Sequence, residues 1–158
     1  MSISRLYVML CILLMHSITL VARGTKSAQD YTSPNMYKSG SQSERIQRAI
    51  EEAKKSSGKV IIPKYDAIEK SNVWLIDKAI LLPGDIELEL NNCKIKLSAK
   101  CRDNFIRSAN AGMGISNVQP LSNVKISGKG NVLLEGASNP RSTGDHNKTL
   151  SNDPKGFG

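Results

Sequence analysis

The sequence has few of the residues that build metal centres and nucleic-acid platforms. Its 158 residues include three cysteines and two histidines, and only 4% of them are aromatic. No cysteine or histidine pair stands at CxxC or HxxxH spacing, which argues against a structural zinc site. No phosphate-binding loop of the GxxxxGK[ST] or GxGxxG kind occurs. We therefore predict no bound metal and no cofactor.

Positive charge is in excess. Lysine and arginine number 22 against 14 aspartates and glutamates, a net charge of +8. Such a surface attracts polyanions, namely acidic glycans, nucleic acids or anionic lipids. Charge alone does not choose among them, but the shortage of aromatic side chains for base stacking argues against nucleic acid.

The first 24 residues have the composition of a secretory signal. Arg5 supplies the basic start, residues 6–22 form an apolar stretch, and Ala22 and Gly24 are the small residues expected before a cleavage site. An uncleaved membrane anchor is the alternative, although the stretch is shorter than the ~20 apolar residues of a spanning helix. We predict cleavage after Gly24, a secreted or periplasmic protein and no stable membrane insertion afterwards. Cleavage removes two arginines and leaves 20 basic and 14 acidic residues, a net +6.

Two cysteines, Cys93 and Cys101, remain after this cleavage. An exported chain could pair them. In the segment 93–97 the cysteine shares its face with Ile95 and Leu97, which favours a buried, unreactive thiol.

One amphipathic helix is predicted near residues 44–56, after a flexible polar leader at 25–42. Ser41 and Glu44 match a capping box, and Gly58 suits a left-handed helix end. The apolar positions follow a helical period and are Ile46, Ala49, Ile50 and Ala53.

From residue 59 onwards the apolar residues alternate with a period of two, which predicts short strands and a mainly β protein. The runs are 60–62, 73–76, 80–82, 86–90, 95–97, 124–126 and 132–134. Asparagine stands before an apolar step at Asn92, Asn123 and Asn131, as expected where stacked turns hydrogen-bond to one another. The pattern favours the first coils of a right-handed parallel β-helix with an N-terminal capping α-helix. An antiparallel sandwich with asparagine in its turns is the alternative.

Three segments, residues 44–53, 58–63 and 123–130, resemble the N-terminal part of pectin-degrading β-helix proteins. The resemblance is to the polygalacturonase group, glycoside hydrolase family 28, and to its pectate-lyase-like relatives. It implies an exported enzyme that hydrolyses galacturonan with two carboxyl groups about 6.5–9.5 Å apart. The family's catalytic motifs (Asn-x-Asp, Asp-Asp, Gly-His-Gly and Arg-Ile-Lys) do not occur here. Residues 43–158 are thus expected to be the truncated N-terminal part of such a domain, with no catalytic residue of its own.

The candidate substrate-binding residues lie in the polar loop 141–148. They are Arg141, Asp145, His146 and Lys148. The basic side chains Arg141, His146 and Lys148 suit the carboxylates of an acidic polysaccharide, the predicted partner. The glutamates Glu51, Glu52, Glu87 and Glu89 are expected to be solvated charges, because their positions on helix and strands point outward.

Two other functions are kept open. One is a non-catalytic β-helix module that binds anionic glycan, and the other is a pectate-lyase-like protein, which would need a calcium site that the acidic residues do not outline. An uncapped last coil would also expose strand edges, through which the chain could self-associate.

Overall fold

The computed structural model describes residues 30–101, 103–110, 116–117 and 119–138. Within them, a short 3-10 helix at Pro34–Met36 precedes one α-helix and eight strands. The α-helix, α1, is Gln42–Lys55. The strands are β1 Lys59–Ile62, β2 Val73–Ile76, β3 Ile80–Leu82, β4 Ile86–Asn91, β5 Lys94–Leu97, β6 Ile106–Ser108, β7 Val124–Lys129 and β8 Leu133–Glu135. The protein is therefore mainly β, as the period-two alternation predicts.

The strands form three parallel sheets, and consecutive strands enter different sheets. The orders are β1-β4-β7, β2-β5-β8 and β3-β6, so each strand pairs with the strand three places later in the chain. The register aligns like residues: Val60 stands beside Leu88, and Leu88 beside Ile126. Every pairing between the named strands is parallel, so the alternative of an antiparallel sandwich is wrong.

Helix α1 confirms the predicted capping box. The Ser41 hydroxyl accepts a hydrogen bond from the main-chain N–H of Glu44, and the Glu44 carboxylate accepts one from the N–H of Ser41 at 3.0 Å. The helix begins at Gln42, directly after this cap and two residues earlier than predicted. Its end is also as expected, since Gly58 has φ +67° and its N–H donates to the Ala53 carbonyl at 2.7 Å.

The apolar stripe of α1 lies against the first strands. The helix contacts β1, β2, β3 and β4, and its four apolar residues are fully buried. They join the inward side chains of the strands in one core, which also contains Trp74. Ile46 and Ile50 thus face the strands, and the helical period predicted for the apolar residues is confirmed.

Polar groups cover the outer edges of the first three strands. Gln42 donates from Nε2 to the Val73 carbonyl at 3.0 Å and accepts at Oε1 from the Leu75 N–H at 2.6 Å. Gln47 does the same for both main-chain groups of Leu81, at 3.3 and 2.9 Å. The helix thus satisfies the edges of β2 and β3 with side-chain amides, which prevents further strands from pairing there.

The edge of β1 is covered by the segment before the helix. The Thr32 N–H donates to the Lys59 carbonyl at 2.8 Å, and the Thr32 carbonyl accepts from the Ile61 N–H at 2.9 Å. Its hydroxyl donates to the Ala49 carbonyl at 2.7 Å. The predicted flexible leader at 25–42 therefore does not hold from Thr32 onwards, because these bonds fix the backbone.

Two local predictions differ from the structure. Strand β6 was not predicted, since its three residues include Arg107 and Ser108 and show no apolar alternation. Glycine is typical of turns, yet Gly128 lies within β7 and pairs with Leu90. The turn begins at Gly130, whose φ is +67°.

The far end of the core is exposed. Ile126 stands beside the buried Leu88 in the register, yet it is 51% exposed, and Leu134, beside the buried Ile95, is also 51% exposed. Among the described residues β7 and β8 each pair with one strand only. Apolar side chains and unpaired backbone groups thus meet at this end.

We expect the purified protein to bind a hydrophobic dye and to self-associate as its concentration rises, because an open strand edge is a template for further pairing. Replacing Ile126 and Leu134 together by Ser should lower both signals in dye fluorescence and sedimentation velocity. Leu75→Ser, at an exposed apolar position on the outer face of β2, is the matched control. A monodisperse wild-type monomer that binds no dye would contradict this prediction.

Candidate functional site

The four candidate residues predicted from the sequence are Arg141, Asp145, His146 and Lys148. They lie outside the described residues, as do the predicted signal and its cleavage site. Their role stays a prediction.

The glutamates on the first sheet are engaged with lysines. Lys59 Nζ lies 2.9 Å from Glu89 and 3.7 Å from Glu87, and Lys125 Nζ lies 3.1 Å from Glu87. The hydrogen bond from Lys125 lowers the pKa of Glu87. A general acid needs a raised pKa, so this arrangement is unsuited to acid catalysis. It forms a balanced row of two ammonium and two carboxylate groups.

A groove of about 530 Å³ runs along the turns that lead from the first sheet to the second. We call it the turn groove. Its polar lining comes from the β1–β2, β4–β5 and β7–β8 connections and from the start of β5, and consists of Lys64, Asn72, Asn92, Lys94 and Asn131. Val73, Cys93, Val132 and Leu133 provide its apolar part.

Two of the turns that line this groove are hydrogen-bonded to each other. Asn92 Oδ1 accepts from the Asn131 N–H at 3.2 Å, and the Asn92 N–H donates to the Lys129 carbonyl at 2.8 Å. Asn92 itself adopts φ +48°, a left-handed conformation that asparagine tolerates. A side chain at Gly130 would collide with the Asn92 amide, which explains the glycine there. The predicted hydrogen bonding between stacked asparagine turns is confirmed for Asn92 and Asn131.

The turn groove carries excess positive charge. Lys64 makes no ion pair with any other described residue. Lys94 and its neighbour Lys96 share the carboxylate of Glu135, at 2.6 and 2.7 Å. Hydrogen bonds from these two lysines hold the pKa of Glu135 at about 2. The groove lining thus contains two lysines and no carboxylate, and Glu135, which pairs with Lys94, also pairs with Lys96.

Cys93, a further lining residue of the groove, is almost entirely buried. Burial raises its pKa, so it stays protonated and is a poor nucleophile. Cys101 is buried as well, and no disulfide joins the two residues. The predicted buried thiol is confirmed for Cys93, and the alternative pairing with Cys101 is not present.

Sequence reasoning missed Lys64, Lys94 and Glu135. The sequence contains one relevant signal: Lys94 and Lys96 alternate with inward apolar residues, so both lysines point outward. Lys64 and Glu135 are 71 positions apart, and nothing local in the sequence connects them.

Two general features of the described residues bear on function. No group of three or more His, Cys, Asp or Glu side chains in that part of the chain is placed to hold a metal ion. No helix there is long and apolar enough to cross a membrane.

Comparison with protein-family models, curated proteins and solved structures returned no match to this chain. The resemblance to polygalacturonases therefore rests on the three segments quoted above.

Proposed function

We propose that this chain supplies the first coils of a right-handed parallel β-helix of the polygalacturonase type and that it binds an acidic polysaccharide in the turn groove. The strand order supports the coiled arrangement, because each strand pairs in parallel with the third strand after it. The capping of the first three strand edges supports it further, since coiled repeats need a closed end.

The observation that carries the proposal is the presence, in one groove, of an ammonium group without a described counter-charge and of three asparagine side chains. Lys64 has no counter-charge among the described residues, and Asn72, Asn92 and Asn131 line the same groove. A uronate residue offers a carboxylate for an ammonium group and hydroxyls for amides. Alternating carboxylates and hydroxyls along a galacturonan chain fit a groove that crosses several coils.

Binding without hydrolysis is what the described residues support best. Their acidic side chains on the strands are engaged with lysines, and Asp66, the one fully buried carboxylate, is paired with Arg45. Hydrolysis needs two carboxyl groups on opposite sides of the glycosidic bond. We therefore propose binding alone, and the experiment below also tests for hydrolysis. The signal-like segment 1–24 supports action outside the cytoplasm.

The test is affinity electrophoresis and calorimetry with polygalacturonate, together with an assay for released reducing ends. We expect weak binding and no release of reducing ends. The binding should weaken as NaCl is added, because the screening length falls to ~10 Å at about 0.1 M salt and becomes shorter at higher concentrations. Lys64→Ala with Lys94→Ala should weaken binding about fivefold, because exposed ion pairs contribute ~0.2–1 kcal/mol each.

Two further double variants remove the same charge elsewhere. Lys54→Ala with Lys55→Ala, at the exposed end of α1, should change the affinity less than twofold. Arg141→Ala with Lys148→Ala tests the loop predicted from the sequence. Equal losses in all three variants would place binding on the general basic surface. Reducing ends released by highly purified protein would show that the chain is catalytic.

A further inference from the structure

Glu135 links two lysines on the outer face of the second sheet. It lies on β8 directly beside Lys96 of β5 in the register, and Lys94 is two residues away on the same face. Glu135 Oε1 lies 2.7 Å from Lys96 Nζ, and Glu135 Oε2 lies 2.6 Å from Lys94 Nζ. Each lysine thus holds a different oxygen of one carboxylate. All three side chains are about one-third exposed, so solvent and solutes reach them.

Lys94 belongs to two arrangements at once. It lines the turn groove, and it pairs with Glu135, which is not among the lining residues. Lys96 holds the other oxygen, so Glu135 can release Lys94 and remain bound to Lys96. A ligand carboxylate that enters the groove would therefore meet a Lys94 that is already paired with another carboxylate, that of Glu135.

We propose that Glu135 is an internal counter-ion that occupies the place of an incoming ligand carboxylate on Lys94, so that binding of a polyuronate displaces it. The inference rests on the proposed function, because it concerns the same groove. Glu135 then lowers the affinity for acidic glycan. Only a ligand with free carboxylates competes with Glu135 for Lys94, so the effect is absent for neutral sugars.

The first sheet offers a natural comparison. There, Lys59 and Lys125 face Glu87 and Glu89, so that charges are equal in number. Removal of one carboxylate from that row frees an ammonium outside the turn groove. It therefore serves as a matched control that changes net charge by the same amount.

The experiment measures polygalacturonate binding by wild type, Glu135→Gln and Glu87→Gln. We expect Glu135→Gln to bind about two- to fivefold more tightly, the range of one exposed ion pair, and Glu87→Gln to change the affinity less than 1.5-fold. Adding Lys94→Ala to Glu135→Gln should abolish the gain. Fully methyl-esterified pectin, which has the sugar without the free carboxylate, should show no gain.

Several outcomes would overturn the inference. If wild type binds and Glu135→Gln binds equally or more weakly, Glu135 does not compete with the ligand. If Glu87→Gln gives the same gain, net charge alone is responsible. If none of the proteins binds polygalacturonate, the proposed function is wrong, and so is the inference that depends on it. Thermal unfolding checks that the variants are folded, and Glu135→Ala has to reproduce the gain of Glu135→Gln.

Discussion

Asp66→Asn is expected to lower the free energy of unfolding by about 3–5 kcal/mol, because it leaves the guanidinium of Arg45 buried without a counter-charge. Both side chains are completely inaccessible to solvent. The two Arg45 Nη atoms donate to the two carboxylate oxygens of Asp66 at 2.8 and 2.5 Å, and Gln42 Nε2 donates to the same carboxylate at 2.6 Å. The Arg45 guanidinium also lies 5.6 Å from the centre of the Trp74 ring. Chemical denaturation followed by circular dichroism measures the loss.

The same pair makes a prediction about pH. Burial alone would raise the pKa of Asp66, but hydrogen bonds from Arg45, Gln42 and two main-chain N–H groups outweigh it and hold the pKa at about 2. An unfolded aspartate has a pKa of about 3.9. The carboxylate therefore stabilises the fold fully above pH of about 4, and this contribution is lost as the pH falls towards 2. The stability difference between wild type and Asp66→Asn should shrink over this interval.

The control for this prediction removes both charges. Asn at position 66 keeps an oxygen for the N–H groups of Ile68 and Glu69, which donate to Asp66 at 3.0 and 3.2 Å. Arg45→Met combined with Asp66→Asn should therefore be more stable than Asp66→Asn alone, since no buried charge remains. The single variant Arg45→Met completes the comparison. If the double variant loses as much stability as Arg45→Met and Asp66→Asn together, the two side chains are not coupled.

Ile50→Asp is expected to cost at least about 4 kcal/mol, enough to unfold much of a domain of ordinary stability. Ile50 is fully buried in the core between α1 and the strands. The substitution deletes a large aliphatic side chain and places a carboxylate there with no described cationic partner. The expected result is loss of the cooperative unfolding transition in denaturant titrations.

Two control variants separate the contributions to the stability loss of Ile50→Asp. Ile50→Val, which removes one methylene group, should cost only about 0.5–1.5 kcal/mol. Lys54→Asp places the same carboxylate on the exposed face of α1 and should cost about 1 kcal/mol or less, through its position near the negative end of the helix dipole. A stable, cooperatively unfolding Ile50→Asp protein would mean that Ile50 does not face the core.

Local features of the fold were predictable from the sequence because they depend on neighbouring residues. The capping box at Ser41 and Glu44, the helix end at Gly58 and seven of the eight strands follow from spacing and periodicity over a few positions. The exception, β6, is short and carries Arg107 in its centre, so its strand character comes from pairing with β3.

The buried ion pair was beyond reach of such reasoning. Arg45 stands among charged helix residues and Asp66 in a polar loop, positions that usually face solvent. Both are buried because the loop after β1 folds back over the first turn of α1, where Gln42 also reaches Asp66.

The sequence by itself determined the helix, its cap, the inward and outward faces of most strands and the basic character of the surface, since each depends on residue type and short-range period. The tertiary structure decided which residues share the turn groove. Parallel pairing sets Val73 beside Lys94, 21 positions later, and Lys94 beside Leu133, 39 positions later. Because the connecting loops differ in length, no constant repeat marks these neighbours in the sequence. Lys64 shares the groove with Lys94, and Glu135 reaches Lys94, only when the strands have paired.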